Sequence, residues 1–340
     1  MKTIRFSLIA IAVILSLNAR ADLTKRVYRS YPLSKIQKIQ VSNKYGHIYI
    51  DDNRKDSVVV DVKIWVEGNT ERSQKLLDRI NVQINLEGKT IVAVTNLESF
   101  SNNSKEFSID YHISIPADRD LAIDQKYGTV NLKNLTGRGD FNVSYGELTA
   151  AKLLSPALNM NIAYGKANIE ETRDLNLDLK YSKFFLDKGA NLKVETKYSD
   201  FNTGAIESLT TDSKYDQYKI TSVGSLMMNA MYSGTKIEKL SNKLDLNNGY
   251  GNLKIESVQP GFESIKLVNK YAGVKLGISP EASYKLEGNV RYCDLKHPEG
   301  RLSVSRGNTN YSVSGIIGKN SNPKSTVTID SSYGSVNLLP

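Results

Sequence analysis

Tyr127-Gly128-Thr129-Val130-Asn131-Leu132 states the phrase from which the rest of the chain is read. It returns as Tyr145-Gly146-Glu147-Leu148 and as Tyr164-Gly165-Lys166-Ala167-Asn168-Ile169, then at Tyr181, Tyr198, Tyr215, Tyr232, Tyr250, Tyr271 and Tyr292. Outlying copies sit at Tyr45 and Tyr333. From Tyr127 to Tyr292 the spacings are 18, 19, 17, 17, 17, 17, 18, 21 and 21 residues. A steady period of this length marks a solenoid, in which each repeat is one coil that buries its apolar side only by stacking on its neighbours.

The flanks of each tyrosine give the coil its strands. Apolar residues recur six and four places before it, as in Leu158/Met160, Leu175/Leu177 and Leu244/Leu246. They recur again three and five places after it, as in Val130/Leu132, Phe184/Leu186 and Leu253/Ile255. Each pair has the two-residue period of a strand with one face inward. The parity changes across the tyrosine, which requires a bend or bulge there. The following residue is small (Gly128, Gly146, Gly165, Ser182, Ser199, Ser233, Gly251, Ala272, Gly334), which suggests a cramped corner or an unusual φ at that glycine. The expected fold is an all-β parallel solenoid, or β-helix, with 17–21-residue coils. Tyr127 to Tyr292 are expected in file, with Tyr333 closing the series.

Residues 22–35 read as a polar lead-in, and Ile36 to Ile50 as a first coil that the chain then leaves. The excursion to about residue 118 reads as a small sheet with one helix. Its strands are Ser57–Val66, Ile80–Leu86, Thr90–Val94 and Phe107–Ile115, and Asn69 or Thr70 caps the helix. Packed over the open first coil, it would protect an otherwise sticky strand edge. The expected organisation is therefore a signal segment at 1–21, a first coil and capping segment at 22–118, and repeats from 119 to 340 with a C-terminal cap from about 299.

Lys2 and Arg5, the apolar run Phe6–Leu17 and the small residues of Ala19-Arg20-Ala21 read as a secretory signal cleaved before Asp22. The run is too short to span a bilayer, no later stretch approaches that length, and no cysteine near the cleavage point offers a lipid anchor. The mature chain is thus expected outside the cytoplasm, in the periplasm or at the surface. With Lys2, Arg5 and Arg20 removed, 42 basic residues face 36 acidic ones, a net charge of +6. Cys293 is the only cysteine, so no internal disulfide is available.

Two surface columns are candidate sites. The tyrosines (Tyr127, Tyr145, Tyr164, Tyr181, Tyr198, Tyr215, Tyr232, Tyr250, Tyr271, Tyr292) either fill the corners or, if their rings are exposed, form a sugar-binding platform. Presence in every coil favours the structural role. Four places after the tyrosine, Lys219, Lys236, Lys254, Lys275 and Lys296 form a basic column in what reads as five consecutive coils. A second basic set, Lys126, Lys180, Lys197, Lys214, Lys270 and Arg291, precedes the tyrosine. Stacked like charges repel, and Glu238 and Glu256 offer partial relief. Such a column either keeps a solvated face from aggregating or binds an anionic glycan or surface polymer. Nucleic acid is disfavoured by the compartment and by the lack of an aromatic-basic module.

Catalysis finds little support. His47, His112, His297 and Cys293 share no ligand spacing, and His297 reads as an interior histidine. The carboxylate pairs Glu238/Glu256 and Glu170/Asp187 could hold Ca²⁺ or act as acid and base, but nearby lysines favour ion pairing. No metal or cofactor is expected. No nucleophile elbow, P-loop or nicotinamide fingerprint occurs.

The phrases KYGHIYI at Lys44, KYGTVNL at Lys126 and VSYGEL at Val143, with HISIPADRDLAI at His112, resemble the secreted "putative adhesin" proteins, the auto-transporter-adhesin-like β-solenoids of Bacteroidetes-type bacteria. The resemblance covers nearly the whole mature chain and implies attachment at the cell envelope, with no catalytic residues to carry over. The later repeats depart from the Tyr-Gly form at Tyr215-Asp216 and Tyr292-Cys293. The expected function is a non-enzymatic envelope or surface module that binds an anionic polysaccharide or an envelope protein. The alternatives are a polysaccharide lyase or hydrolase, and a periplasmic scaffold that senses envelope stress through a protein partner.

Overall fold

One coil shows how the chain turns. Between Ala167 and Phe184 the inward residues are Ala167, Ile169, Thr172, Leu175, Leu177, Leu179, Ser182 and Phe184. Within a straight strand, inward residues alternate with outward ones. At three places, Ile169 to Thr172, Thr172 to Leu175 and Leu179 to Ser182, two outward residues intervene instead. Those three are the corners, and with four alternating steps they account for the 17-residue coil. The computed structural model, which describes residues 22–53, 56–97 and 106–339, is a parallel β-solenoid built from such coils. The signal segment and the polar loop at 101–104 lie outside the described residues.

The tyrosine makes the sharpest corner. All twelve repeat tyrosines, Tyr45 and Tyr333 included, have a positive φ, from 50° to 65°. One left-handed residue between two extended arms reverses the inward parity, which accounts for the even offsets before the tyrosine and the odd ones after it. This corrects the expectation that placed the unusual φ on the following glycine: of those glycines only Gly46 has a positive φ. Gly128, Gly146 and Gly165 are glycines for want of space. A Cβ at Gly128 would stand 1.7 Å from the carbonyl oxygen of Gly46 on the coil below.

Coils of 17 residues pair in register from Lys166–Lys180 through Lys183–Lys197 and Asp200–Lys214 to Gln217–Met231, and Gly234–Gly249 follows with a one-residue shift of register between Val223 and Ser225. The interior is aliphatic, with an aromatic seam where Phe184 stacks on Phe201 at 5.3 Å and Tyr218 lies tilted against Phe201 at 4.8 Å. The buried Tyr218 hydroxyl lies 2.7 Å from both Thr196 Oγ1 and Thr211 Oγ1. Paired hydroxyls of this kind let a phenol sit in an apolar core without an unmet hydrogen bond.

At the N-terminal end the polar lead-in proves to be a ten-residue strand. β1 (Leu23–Pro32) runs antiparallel to β4 (Ser57–Val66). The first coil, β2 (Lys38–Lys44) and β3 (Ile48–Asp51), stacks on β8 (Asp120–Lys126) and β9 (Thr129–Leu135). On its other side β3 meets β7 (Phe107–Ser114), which continues to β4, while β2 meets β6 (Thr90–Leu97) and then β5 (Ile80–Glu87). The helix α1 (Glu71–Arg79) buries Leu76 and Leu77, and Thr70 caps it by accepting the Ser73 N–H. Between these layers the chain reads as a solenoid whose first coil is covered by a small sheet with one helix.

The C-terminal end departs from sequence order. The strand Ser325–Ser332 lies parallel between Ser264–Lys270 and Tyr284–Arg291, paired to both. Tyr333 therefore stacks between Tyr271 and Tyr292, at 4.9 Å from each. It does not close the series; it is an interior rung supplied by the last segment of the chain. Tyr292 is the last ring, and the hairpin Gly300–Arg306 and Asn310–Ile317 covers its strand on the far side. Arg301 and Arg306 on that outermost strand, and Lys25, Arg26 and Arg29 on β1, put like charge on one outer strand at each end. End-to-end strand pairing of two rods is thereby discouraged.

Candidate functional site

The left-handed corners line up the tyrosine side chains outside the core. Consecutive rings from Tyr45 to Tyr292 stack at 4.8–5.2 Å. Eleven such steps run roughly 54 Å along the rod. Tyr127 through Tyr292, with Tyr333, remain 40–58% exposed. Because each interior ring lies face to face with two others, what it offers solvent is an edge and a hydroxyl. That geometry removes the sugar-platform reading for the interior rings, since stacking on a sugar needs a free aromatic face. Lys44, Lys126 and Lys197 lean over the ladder from the preceding position, 4.8–5.9 Å from ring centroids.

The lysine column lies on the other side. Lys219, Lys236, Lys254 and Lys275 are register partners on four successive rungs. Lys296 does not follow directly: Asn337, on the inserted C-terminal segment, pairs with both Lys275 and Lys296 and separates them. The five-coil column is thus four lysines, an asparagine and a fifth lysine. Glu256 bonds Lys254 at 2.7 Å and Lys236 at 3.6 Å, and these contacts, the Lys254 hydrogen bond first, hold its carboxyl below the usual glutamate range. This one glutamate offsets one of the four ammonium charges, so the column stays net positive.

Ladder and lysines are two walls of one groove. Between Tyr232 and Tyr250 on one side and Lys219, Lys236 and Lys254 on the other lies a space of ≈ 450 Å³ floored by Ser233, Gly234, Gly251 and Asn252. It continues along the ladder past Tyr215, Tyr198, Tyr181 and Tyr164 as a second space of ≈ 650 Å³. The two parts differ in their floor. Toward the N-terminus, position two after the tyrosine holds charged pairs, Glu147 with Lys166 at 3.5 Å and Lys183 with Asp200 at 3.7 Å. Toward the C-terminus the same position holds Gln217, Gly234, Asn252 and Gly273, so the lysines face the phenols across a low neutral floor. The column four after the tyrosine changes in the same sense, from Asn131, Thr149, Asn168, Phe185 and Asn202 to lysine.

Beneath the ladder lies a polar cluster that the repeat pattern concealed. Asp216 occupies the small-residue position and is 1% exposed. Its carboxylate accepts hydrogen bonds from Thr196 Oγ1 (2.6 Å), Ser213 Oγ (2.8 Å) and the N–H groups of Ser199 (2.7 Å) and Lys214 (2.8 Å). Around it the corner N–H of each coil donates to the side chain one rung on: Gly165 to Ser182, Ser182 to Ser199, Asp216 to Ser233. Burial nevertheless pushes the Asp216 carboxyl above the ordinary aspartate range. With the folded pKa raised, its stabilisation is present at low pH and is lost as pH rises through the folded value. Asp216→Ser supplies the side chain that the neighbouring corners use. Relative to that variant, the wild type should lose stability as the pH is raised from about 4 to about 8. Thermal midpoints of both proteins at the two pH values measure it, and a constant difference would contradict the burial argument.

The remaining sequence candidates stay apart. His47 Nδ1 lies 2.8 Å from Thr129 Oγ1, and the His112 ring stacks on Tyr49 at 4.9 Å. His297 is half-buried, with Nδ1 at the Pro298 carbonyl and Nε2 at the Tyr311 hydroxyl. Glu170 and Asp187 occupy an exposed corner of adjacent coils. Among the described residues no three metal-ligating side chains cluster, and no helix is long and apolar enough to cross a membrane.

Comparison with known proteins places the chain by family. Residues 36–339 match the family model described as Toastrack DUF4097. Similar solved structures include a "putative adhesin" from Bacteroides fragilis, 17% identical over 68% of this chain and 97% of that one, with a TM-score of 0.37. A second "putative adhesin", from Parabacteroides distasonis, is 10% identical over 93% of this chain and 97% of that one, with a TM-score of 0.34. A "putative lipid binding protein" from the same species is 11% identical over 68% and 94%, also at 0.34. No protein of curated function matches the sequence.

Proposed function

This chain belongs to the Toastrack DUF4097 family, and from that premise we propose that it is a non-enzymatic, adhesin-like module that holds an extended anionic polymer along its rod. The observation that carries the reading is the groove between Tyr232–Tyr250 and Lys219–Lys254, straight, open at the top and floored by small neutral residues. A polymer laid along the axis meets one lysine ammonium and one phenol hydroxyl per rung. The lysines supply attraction and the hydroxyls supply hydrogen bonds that follow the same repeat. A uronate-rich or sulfated polysaccharide has that form: linear, anionic and regularly spaced. Export by the segment at 2–21 would put such a groove where envelope polymers are found.

Replacing Lys236, Lys254 and Lys275 together with Gln should weaken binding to polygalacturonate by roughly tenfold or more at about 0.1 M salt and flatten its salt dependence. Binding measured across a salt series, with neutral dextran as the control polymer, checks it. Equal affinity of variant and wild type, or equal affinity for dextran, would remove the lysine groove as the site. Release of unsaturated sugar products from polygalacturonate would instead make the protein a lyase.

A further inference from the structure

The ladder has two ends, and they are not alike. At the N-terminal end the ring of Phe107 closes over Tyr45, edge-on at 5.4 Å. At the other end Tyr292 stacks on Tyr333 through one face. Its strand pairs with Ser325–Ser332 on that side and with Asn310–Ile317 on the other, so the second face of Tyr292 looks toward the hairpin. No aromatic ring among the described residues covers it, and Tyr292 is the most exposed ring of the ladder, at 58%. On that side lies a cavity of ≈ 450 Å³, lined by Cys293, Asp294 and Leu295 after the tyrosine and by Arg306 to Tyr311 of the hairpin.

The polar groups round this cavity are of the kind that orient a ligand. Asp294 brings a carboxylate, Asn308 and Asn310 bring amides, and Arg306 brings a guanidinium held 5.2 Å over the Tyr311 ring. The Tyr311 hydroxyl is fixed in turn at 2.8 Å from His297 Nε2. The backbone beside Tyr292 is fixed as well, since its N–H donates to the Thr309 carbonyl at 2.8 Å. An open aromatic face with a carboxylate and amides about its rim matches the two sides of a pyranose: a C–H face that stacks and vicinal hydroxyls that donate in pairs to a carboxylate. The volume falls within the range of small-ligand sites and suits one or two sugar rings.

We infer that the open face of Tyr292, with Asp294 and Arg306, binds the terminal pyranose of a glycan. The site is separate from the lysine groove and recognises a neutral ring, so its binding is insensitive to salt. It offers one stacking face, where the rest of the ladder offers edges. A chain end seated here lies beyond the last lysine rung, so a polymer in the groove and a sugar at the end can be held together or apart.

The test uses the full chain and three probes: the methyl glycosides of glucose, galactose and mannose. Saturation transfer to the sugar ring protons reports contact, and titration gives the affinity, expected on the order of mM for a ligand of this size. At least one glycoside should bind with the same affinity at low and high salt. Tyr292→Asn, whose side chain tolerates the left-handed backbone, and Asp294→Asn should each weaken that binding at least about tenfold. Tyr250→Asn, which alters an interior ring, should leave it unchanged, as should the triple lysine variant. Absence of transfer from all three glycosides, or binding that survives Tyr292→Asn, overturns the inference without touching the lysine groove. Binding lost equally in the Tyr250 variant would overturn it too, since it would place the sugar along the ladder rather than at its end.

Discussion

Deletion of residues 323–340 is expected to break the rod internally rather than trim its end. The segment fills the rung between Ser264–Lys270 and Tyr284–Arg291. It buries Val327, Ile329, Val336 and Leu338 at 0–1% exposure. Four fully buried aliphatic side chains represent roughly 6–12 kcal/mol of transfer free energy as an upper estimate. Without them the flanking coils must stand apart or meet directly. If they met, Lys270 would lie against Arg291 and Lys275 against Lys296, pairs now separated by Ser332 and Asn337. Asn269 would also lose the Ser331 hydroxyl that its amide bonds at 3.0 Å. Either outcome costs more than a terminal coil should tolerate. Since a solenoid loses stability locally, hydrogen exchange should show protection lost from residues 264–317 and retained across residues 166–231. Full protection of residues 284–291 in the truncated protein would refute the internal placement.

A covalent test of the same placement uses the lone cysteine. Ser213 and Ser233, at the positions two before one tyrosine and one after the next, bring their Oγ atoms to 2.8 Å. Ser331 and Cys293 hold the same two positions about Tyr333 and Tyr292, and Cys293 Sγ already lies 3.8 Å from the Ser331 carbonyl. Ser331→Cys should therefore form a disulfide with Cys293 under mild oxidation. Loss of both free thiols on a single monomeric chain would record it, and two persistent thiols would mean that the last segment is not where it is placed.

Much of this architecture was legible in the residues, and the parts that were not have physical reasons. Inward positions such as Leu175/Leu177 and Phe184/Leu186 are read correctly because a two-residue period survives any bend between strands. Thr70 was readable as a cap because its hydroxyl has only local partners to satisfy. The inserted rung was hidden because the step from Tyr250 to Tyr271 and the step from Tyr271 to Tyr292 are both 21 residues long, although one climbs a single rung and the other climbs two. Spacing alone does not record that difference. The trace it leaves is electrostatic: Lys270/Arg291 and Lys275/Lys296 would be like-charge neighbours without something between them. The groove was hidden for a related reason. Tyrosine and lysine columns were visible separately, but whether they face one another depends on the floor, and Gly234, Asn252 and Gly273 acquire meaning only once the corner geometry is known. Asp216 looked like a lapse in the repeat. It is a carboxylate standing where the neighbouring coils place a serine hydroxyl, and while Ser213 and Lys214 reach it from just before the corner, Thr196 and Ser199 lie a coil away in sequence.

Substitution of Tyr198 should reverse the usual order of alanine and glycine. In a strand interior glycine is the worse of the two, by roughly 0.5–1 kcal/mol. Tyr198 has a φ of 53°, where a side chain costs about 1–2 kcal/mol and glycine costs nothing comparable. The ring offsets that strain by stacking on Tyr181 at 5.0 Å and on Tyr215 at 4.9 Å. Two such contacts are together worth roughly 1–3 kcal/mol beyond area burial. Tyr198→Ala loses the stacks and keeps the strain, so it should destabilise by about 2–3 kcal/mol. Tyr198→Gly loses the stacks and releases the strain, so it should cost about 1 kcal/mol less. Exchange protection of residues 183–214, compared between the two variants, reads the difference at the site. If alanine proved equal to glycine or better, the left-handed corner would carry no strain, and ring stacking would no longer explain why a tyrosine stands at every turn. The ordering matters beyond stability. A ladder held by mutual stacking presents edges and hydroxyls along its length and, at Tyr292, one face that no further ring covers, and the proposed division between a polymer groove and an end site rests on that arrangement.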